Sequence, residues 1–107
     1  MSRKYIIGVD GGSQSSKVVI FDTAGTVVCE GRQVLRPMSR PRNGIVEHPD
    51  DDLWDSITAA SRHAMAAFTG DPRDIIGVGL CTIRCERAFL KKDGSLASPV
   101  MSWTSSR

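Results

Sequence analysis

The sequence predicts an α/β domain: a three-strand antiparallel meander, a helix, and a strand that returns parallel to the first. Three observations carry this. Between Tyr5 and Leu35 lie three short runs of apolar and β-branched residues, joined by turns too short for a crossover, so neighbouring strands must run antiparallel. Apolar residues then recur at helical spacing from about Pro49 to Phe68. A fourth run, Ile75-Ile76-Gly77-Val78-Gly79-Leu80, follows that helix, and a strand reached through a helical crossover pairs parallel with an earlier one.

Tyr5-Ile6-Ile7-Gly8-Val9 is nearly continuously apolar, as a strand covered on both faces would be. Gly11 to Ser16 is a turn by composition, and Lys17-Val18-Val19-Ile20-Phe21 is a second strand. Asp22-Thr23-Ala24-Gly25 turns the chain again, and Val27-Val28-Cys29-Glu30 opens a third strand running on towards Leu35. Pro37, Pro41 and Gly44 punctuate a loop from Pro37 to Gly44. Pro49 suits a first helical position, and Asp50, Asp51 and Asp52 put negative charge where the helix dipole is positive. Leu53, Ile57, Ala60, Ala64 and Phe68 form one stripe facing the sheet, and Gly70 and Pro72 end the helix. Arg87 to Leu90 and Val100 to Trp103 read as the arms of a ribbon turning at Lys92-Asp93-Gly94-Ser95. The order βββαβ with a further hairpin points to a ribonuclease H-like domain.

Composition excludes several function classes. The chain has 107 residues and a net charge of +2, with the apolar and charged fractions of an ordinary globular domain. Arg32, Arg36, Arg40 and Arg42 form a loose basic stretch, but prolines and Asn43-Gly44 interrupt it and no aromatics interleave. A solvated loop is expected there, and no nucleic-acid partner. Cys29, Cys81 and Cys85 are odd in number and lack a CxxC pair, which argues against a disulfide framework or a zinc site. Met1 to Lys4 is basic, but the apolar run behind it is too short for a secretory signal or a membrane span. No membrane partner and a cytoplasmic location are therefore expected.

The segment Gly8-Val9-Asp10-Gly11-Gly12-Ser13-Gln14-Ser15-Ser16-Lys17 is the richest in chemistry. An apolar strand delivers a carboxylate to its end, and a turn of glycines and hydroxyls follows at once. Glycines let backbone N–H groups approach phosphate oxygens, with Ser13, Ser15 and Ser16 as further donors and Lys17 as a positive charge. Asp10 can hold Mg²⁺ or its water shell. The spacing is neither a Walker A loop nor a dinucleotide fingerprint, and a plain hairpin turn has the same composition. Physics alone leaves the two readings balanced.

The run from Gly8 to Asp22 resembles the first phosphate motif of the FGGY carbohydrate kinases, members of the actin, Hsp70 and sugar-kinase superfamily. The resemblance continues at Val46-Glu47-His48-Pro49 with Trp54, at Ile76 to Leu80, and from Asp93-Gly94 to Ser102-Trp103 and Arg107. It implies an actin-like ATPase fold and transfer of the ATP γ-phosphate to a sugar or polyol hydroxyl. It places Asp10 near the metal, Gly11, Gly12, Ser13, Gln14, Ser15 and Lys17 at the phosphates of ATP, Arg84 on a substrate hydroxyl and Trp103 against the substrate. The alternatives are an actin- or Hsp70-like ATPase, or an inert piece that acts by association.

Two departures stand out. Family members read Trp-x-Asp-x-Arg where this chain has Trp103-Thr104-Ser105-Ser106-Arg107, so Ser105 occupies the acidic position. The catalytic base, the second phosphate loop and the adenosine site lie further along in the family. Residues 1–107 are therefore expected to be the N-terminal part of domain I, without the rest of domain I or domain II and inactive alone, with one sheet or helix face uncovered and open to homo-oligomerisation. The remaining candidates have plain readings: His48 as a helix cap, His63 pointing outward, Trp54 as core packing, Glu86 and Arg87 as surface ion-pair formers, and Cys81 and Cys85 as inert thiols. Trp103 could pack within the ribbon or stack on a sugar.

Overall fold

A computed structural model describes residues 3–105. Chain order runs β1 (Tyr5–Gly11), β2 (Ser15–Asp22), β3 (Val27–Val34), β4 (Ser39–Arg42), β5 (Ile45–Glu47), α1 (Asp52–Ala67), a 3₁₀ turn (Pro72–Asp74) and β6 (Ile75–Thr82). The main sheet has the order β3-β2-β1-β6. β1 pairs antiparallel with β2, from Tyr5↔Asp22 to Gly11↔Ser16, and parallel with β6, ending at Gly11↔Thr82. The expected meander and the parallel return are both present.

Alternation along β2 sets the two faces. Ser16, Val18 and Ile20 are buried on the side of α1, while Lys17, Val19 and Phe21 face the opposite way. The core gathers Tyr5, Val18, Ile20, Ala60 and Ala64, with Tyr5 edge-on to Phe68 at 4.9 Å between ring centroids. α1 lies over β2 and β3 and barely reaches β1. Ile76, Val78 and Leu80 of β6 are therefore 60–68% exposed. One half of the helix-side face is uncovered, as the sequence led us to expect.

Close approach decides which helix residues are buried. The innermost row is Asp52, Ser56, Ala60 and Ala64, all small or engaged in polar contacts. Opposite it sits Gly31, where an added Cβ would collide with the Ala60 carbonyl and lie 2.5 Å from the Ala64 nitrogen. Leu53 and Ile57 of the expected stripe are only half-buried, and Trp54 is 69% exposed instead of lying in the core. The row of small residues wins because it fits the glycine gap in β3.

The helix also begins later than the sequence suggested. Pro49 precedes it: Asp50 takes a left-handed backbone (φ 46), Asp51 is the N-cap and Asp52 the first helical residue. Asp52 is buried and accepts from the Arg36 backbone N–H (2.8 Å) and Nε (3.1 Å). This pairing, reinforced by Asp50, raises the affinity of the Arg36 guanidinium for its proton. A tertiary partner, rather than the dipole alone, places the first turn.

Two further expectations need correction. Within the expected loop Pro37 to Gly44, Ser39–Arg42 forms an exposed strand that hairpins onto β5 through Asn43-Gly44. With every β4 residue exposed there is no alternation to reveal the strand, and Pro41 is tolerated on an edge. The ribbon is reduced to the bridges Arg87↔Met101 and Leu90↔Leu96. Val100 to Ser102 instead lies along β5, with His48 N donating to Val100 O (2.9 Å) and Ser102 N to Val46 O (2.7 Å).

Two predictions follow from this packing. Gly31→Ala forces backbone atoms of α1 away from the sheet and should destabilise the chain by about 2 kcal/mol or more, read as a lowered denaturant midpoint. Asp22 accepts from Arg3 (2.7 Å) and from the Ala24 and Thr26 amides (3.0 and 2.9 Å), and the Arg3 bond leads in holding its carboxyl below the ordinary 3.8. A depressed folded-state pKa gives stability that is complete above 3.8 and lost as pH falls below it. Asp22→Asn should flatten that acid limb of the melting temperature against pH and leave neutral pH less affected.

Candidate functional site

The turn between β1 and β2 opens at the carboxyl end of β1, which is also the carboxyl end of parallel β6. Gly12 N donates to Ser15 O (3.0 Å), closing the turn tightly, and a Cβ on Gly12 would lie 2.8 Å from that same carbonyl. Glycine is therefore needed here for space rather than for a positive φ. The Gln14 carbonyl accepts from Leu35 N (2.8 Å), fixing the turn from the side of β3. The N–H groups of Ser13 and Gln14 donate to no described residue, so two adjacent amides at the tip of the turn remain available to an anion.

The hydroxyls divide between the two faces. Ser13 and Ser15 are half-buried and make no side-chain hydrogen bond within the described residues. Ser16, which the sequence offered as a third donor, is instead buried and shares a 2.7 Å hydrogen bond with Ser56. The pleat turns its side chain under α1.

On the opposite face, Asp10 and Lys17 are directly opposed across the β1–β2 pair. They line a 570 Å³ groove with Val19, Phe21, Gly79 and Cys81. Asp10 is exposed and its side chain makes no hydrogen bond or ion pair with another described residue, which leaves its carboxylate open to a hydrated cation. Lys17 turns to Glu30 at 3.5 Å, a contact between two half-exposed side chains that is easily exchanged for a phosphate. A second hollow of the same size, lined by Leu53, Trp54, Ile57 and Leu96, lies on the helix side and lacks such a free acid beside a lysine.

Backbone bonds bring the later segments to the same end. Ile83 N donates to Gly11 O (3.1 Å), so Arg84 follows directly beside the Gly11–Gly12 turn. Arg84 is exposed and has no partner among the described residues. Arg87 exchanges two backbone hydrogen bonds with Met101 (3.1 and 2.9 Å), which brings the segment leading to Trp103 alongside. Trp103 is 54% exposed, so most of its indole is not engaged in packing. Cys81 and Cys85 are exposed and free, and Cys85 holds a left-handed backbone (φ 65).

Several supporting residues differ from the sequence reading. His48 is no cap but fully buried, with Nε2 3.4 Å from the Glu86 carboxylate. Glu86 is therefore no surface partner of Arg87, which reaches the Ser105 carbonyl at 3.4 Å. Ser105 Oγ accepts from Val46 N (2.8 Å) and donates to Val46 O (2.6 Å). One hydroxyl thus serves both backbone groups of Val46 in β5, which a carboxylate in its place cannot do. His63 is exposed as expected, with Nδ1 3.1 Å from Arg32 O. Ser106 and Arg107, the end of the Trp103 motif, lie outside the described residues. The missed pairings are non-local, and the only hint in the sequence was histidine placed directly before proline.

A mixed sheet in which β1 pairs antiparallel with β2 and parallel with β6, with α1 laid over it, is the architecture of an actin-like domain. The chain belongs to the FGGY family of carbohydrate kinases: residues 5–107 match that family's N-terminal domain. It is 55% identical over 107 residues, all of the chain but 22% of the relative, to an uncharacterized sugar kinase of Escherichia coli K12, YgcE. A glycerol kinase of Ligilactobacillus salivarius is 32% identical over 84 residues, 78% of this chain and 16% of that protein. The fold is similar to that of the gluconate kinase from Lactobacillus acidophilus, with a TM-score of 0.82 and 22% identity over 97% of this chain and 20% of that one. It is likewise similar to xylulose kinase from Rhodospirillum rubrum, with a TM-score of 0.80 and 20% identity over 97% and 21%. The chain spans about a fifth of the length of these relatives. Family membership decides against a chaperone- or actin-type ATPase.

The local geometry makes a further prediction. Ser105→Ala removes one partner from each of two backbone groups of the buried Val46 and should cost about 1–3 kcal/mol. Ser105→Asp, able to accept but not to donate, should restore no more than part of it; equal unfolding midpoints for wild type and Ser105→Asp would contradict the assignment.

Proposed function

We propose that this chain is the N-terminal part of domain I of an ATP-dependent carbohydrate kinase, cytoplasmic, which transfers the γ-phosphate of ATP to a hydroxyl of a sugar or polyol. The observation that supports it most is the unpartnered Asp10 carboxylate beside Lys17, next to a turn with two unused amides. Bound Mg²⁺ would supply charge neutralisation on the transferring phosphoryl group. Asp10 would hold that ion or its water shell. Gly11 and Gly12 let the backbone come close to the phosphates, Ser13, Gln14 and Ser15 donate to them, and Lys17 exchanges Glu30 for a phosphate oxygen.

Arg84 supplies free guanidinium donors for an acceptor hydroxyl, and Trp103 an exposed indole for the carbon face of a sugar or polyol. Arg84 leaves β6 at the end that carries the Gly11–Gly12 turn, and the segment leading to Trp103 is tied to the same stretch through Arg87 and Met101, which suits transfer between a phosphate and an acceptor held side by side. The acceptor's class, sugar or polyol, rests on the family and on relatives that include glycerol kinases. On this reading the base that takes the acceptor's proton is supplied from outside residues 1–107, as the family resemblance implies.

Two measurements test this reading. In the complete enzyme, Asp10→Asn should lower kcat about a hundredfold, with a smaller change in the acceptor KM, when ADP release is followed over a panel of pentoses, hexoses and polyols. Full activity with unaltered metal dependence would remove Asp10 from the mechanism. The 107-residue chain alone should show no sugar-dependent turnover, because positioning worth roughly 7–11 kcal/mol needs both ends of the triphosphate and the base. It should also self-associate through the uncovered Ile76, Val78 and Leu80 surface, seen as oligomers in sedimentation.

A further inference from the structure

The turn at Cys85 sends its two neighbours in opposite directions. Arg84 is exposed, while Glu86 turns inward until its side chain is only 15% exposed. The group that meets it is His48, whose side chain is 1% exposed and whose Nε2 lies 3.4 Å from Glu86 Oε1, at the long end of hydrogen-bond range. The His48 backbone N–H meanwhile donates to Val100 O, in the segment that ends at Trp103. One residue thus touches both segments that carry the exposed Arg84 and Trp103, by its ring on one side and its backbone on the other.

As a purely stabilising contact this pair is poorly made. His48 Nδ1 and Glu86 Oε2 are both buried without a partner among the described residues. Burying an imidazole against a carboxylate with two polar atoms left over is worse for stability than two well-packed aliphatic side chains. What such a pair provides and an aliphatic one does not is direction. A hydrogen bond between fixed atoms sets where the Cys85 turn sits relative to Val100 and Trp103.

We propose that His48 and Glu86 are a positioning pair, holding the Cys85 turn against the Val100–Trp103 segment so that Arg84 and Trp103 are presented together at the Gly11 end of the sheet. The functional part of this rests on the reading of Arg84 and Trp103 as acceptor-binding residues. His48 and Glu86 act through these two and touch no reacting atom. Their loss acts on the acceptor and spares ATP, because the Gly11 to Ser15 turn is closed by its own bonds and by Leu35.

Hydrogen–deuterium exchange on the complete protein tests the pairing without needing turnover. His48→Ala should speed exchange at residues 83–88 and 100–103 at least about tenfold, leaving β1 and β2 within about twofold. His48→Gln, which places an amide donor near the position of Nε2, should restore most of the protection. Unchanged exchange at 83–88, or an equal increase everywhere, overturns the proposal; failure of His48→Gln to differ from His48→Ala overturns it too.

In the complete enzyme, with the acceptor that gives turnover in the panel, Glu86→Ala and His48→Ala should each raise the acceptor KM about tenfold. kcat and the ATP KM should stay within about threefold, and the double variant should be no worse than either single one. Additive effects overturn the pairing. If Arg84→Ala leaves the acceptor KM unchanged while the exchange result holds, the acceptor reading of Arg84 falls and the pairing stands.

Discussion

The distance between α1 and the sheet is set at Gly31, where any side chain would strike the backbone of Ala60 or Ala64. Because that gap is filled by backbone, the helix presents its small residues to β2 and β3 and leaves Leu53, Trp54 and Ile57 towards the side. Cys29, beside the same contact, gives its thiol to the Ala64 carbonyl at 3.3 Å, and burial pushes that thiol's pKa up. A helix seated there returns the chain to the free edge of β1. The link from the end of α1 to β6 is thus short, and β6 enters the sheet parallel to β1.

Parallel pairing has a chemical consequence. Two parallel strands finish at the same end, so whatever follows β1 and whatever follows β6 are neighbours. Here those are the Gly11–Gly12 turn and Arg84, linked by the Ile83-to-Gly11 hydrogen bond. An antiparallel return would have put Arg84 at the far end of the sheet. The carboxylates near the sheet differ in a way that fits this division: Asp22 is held by Arg3, Asp52 by Arg36 and Asp74 by Lys4. Asp10 alone among these four has no such partner, and it is the one at the shared end.

The small second layer of β4, β5 and the Val100–Ser102 segment has no large apolar core of its own. It is held by specific polar contacts: Ser105 on both backbone groups of Val46, and His48, directly after β5, on Glu86. Such contacts stabilise little per bond compared with burial, yet each is directional. They fix the orientation of a region that has little core to orient it. Serine in the family's acidic position is an example, since its donor and acceptor capacity matches what β5 presents.

The meander, the helix and the parallel return of Ile75–Leu80 were legible in the sequence, because each is written as local periodicity and turn chemistry. So was the Asp10 to Lys17 segment, since a strand that delivers an acid into a glycine turn is a local pattern. The hairpin at Ser39–Arg42 was not legible, because wholly exposed residues carry no alternation. Nor was the burial of Asp52, Ser56 and His48 or the exposure of Trp54. Those depend on Gly31, Arg36 and Glu86, which meet them only after the chain has folded. Ser16 shows the limit most clearly: the sequence named its hydroxyl as a donor, and the pleat of β2 turned it towards Ser56. Residue type and spacing determined which chemistry was available, and the pairing of β1 with β6 and the seating of α1 decided which groups share a surface, because only contacts between distant segments can fix the direction of a side chain.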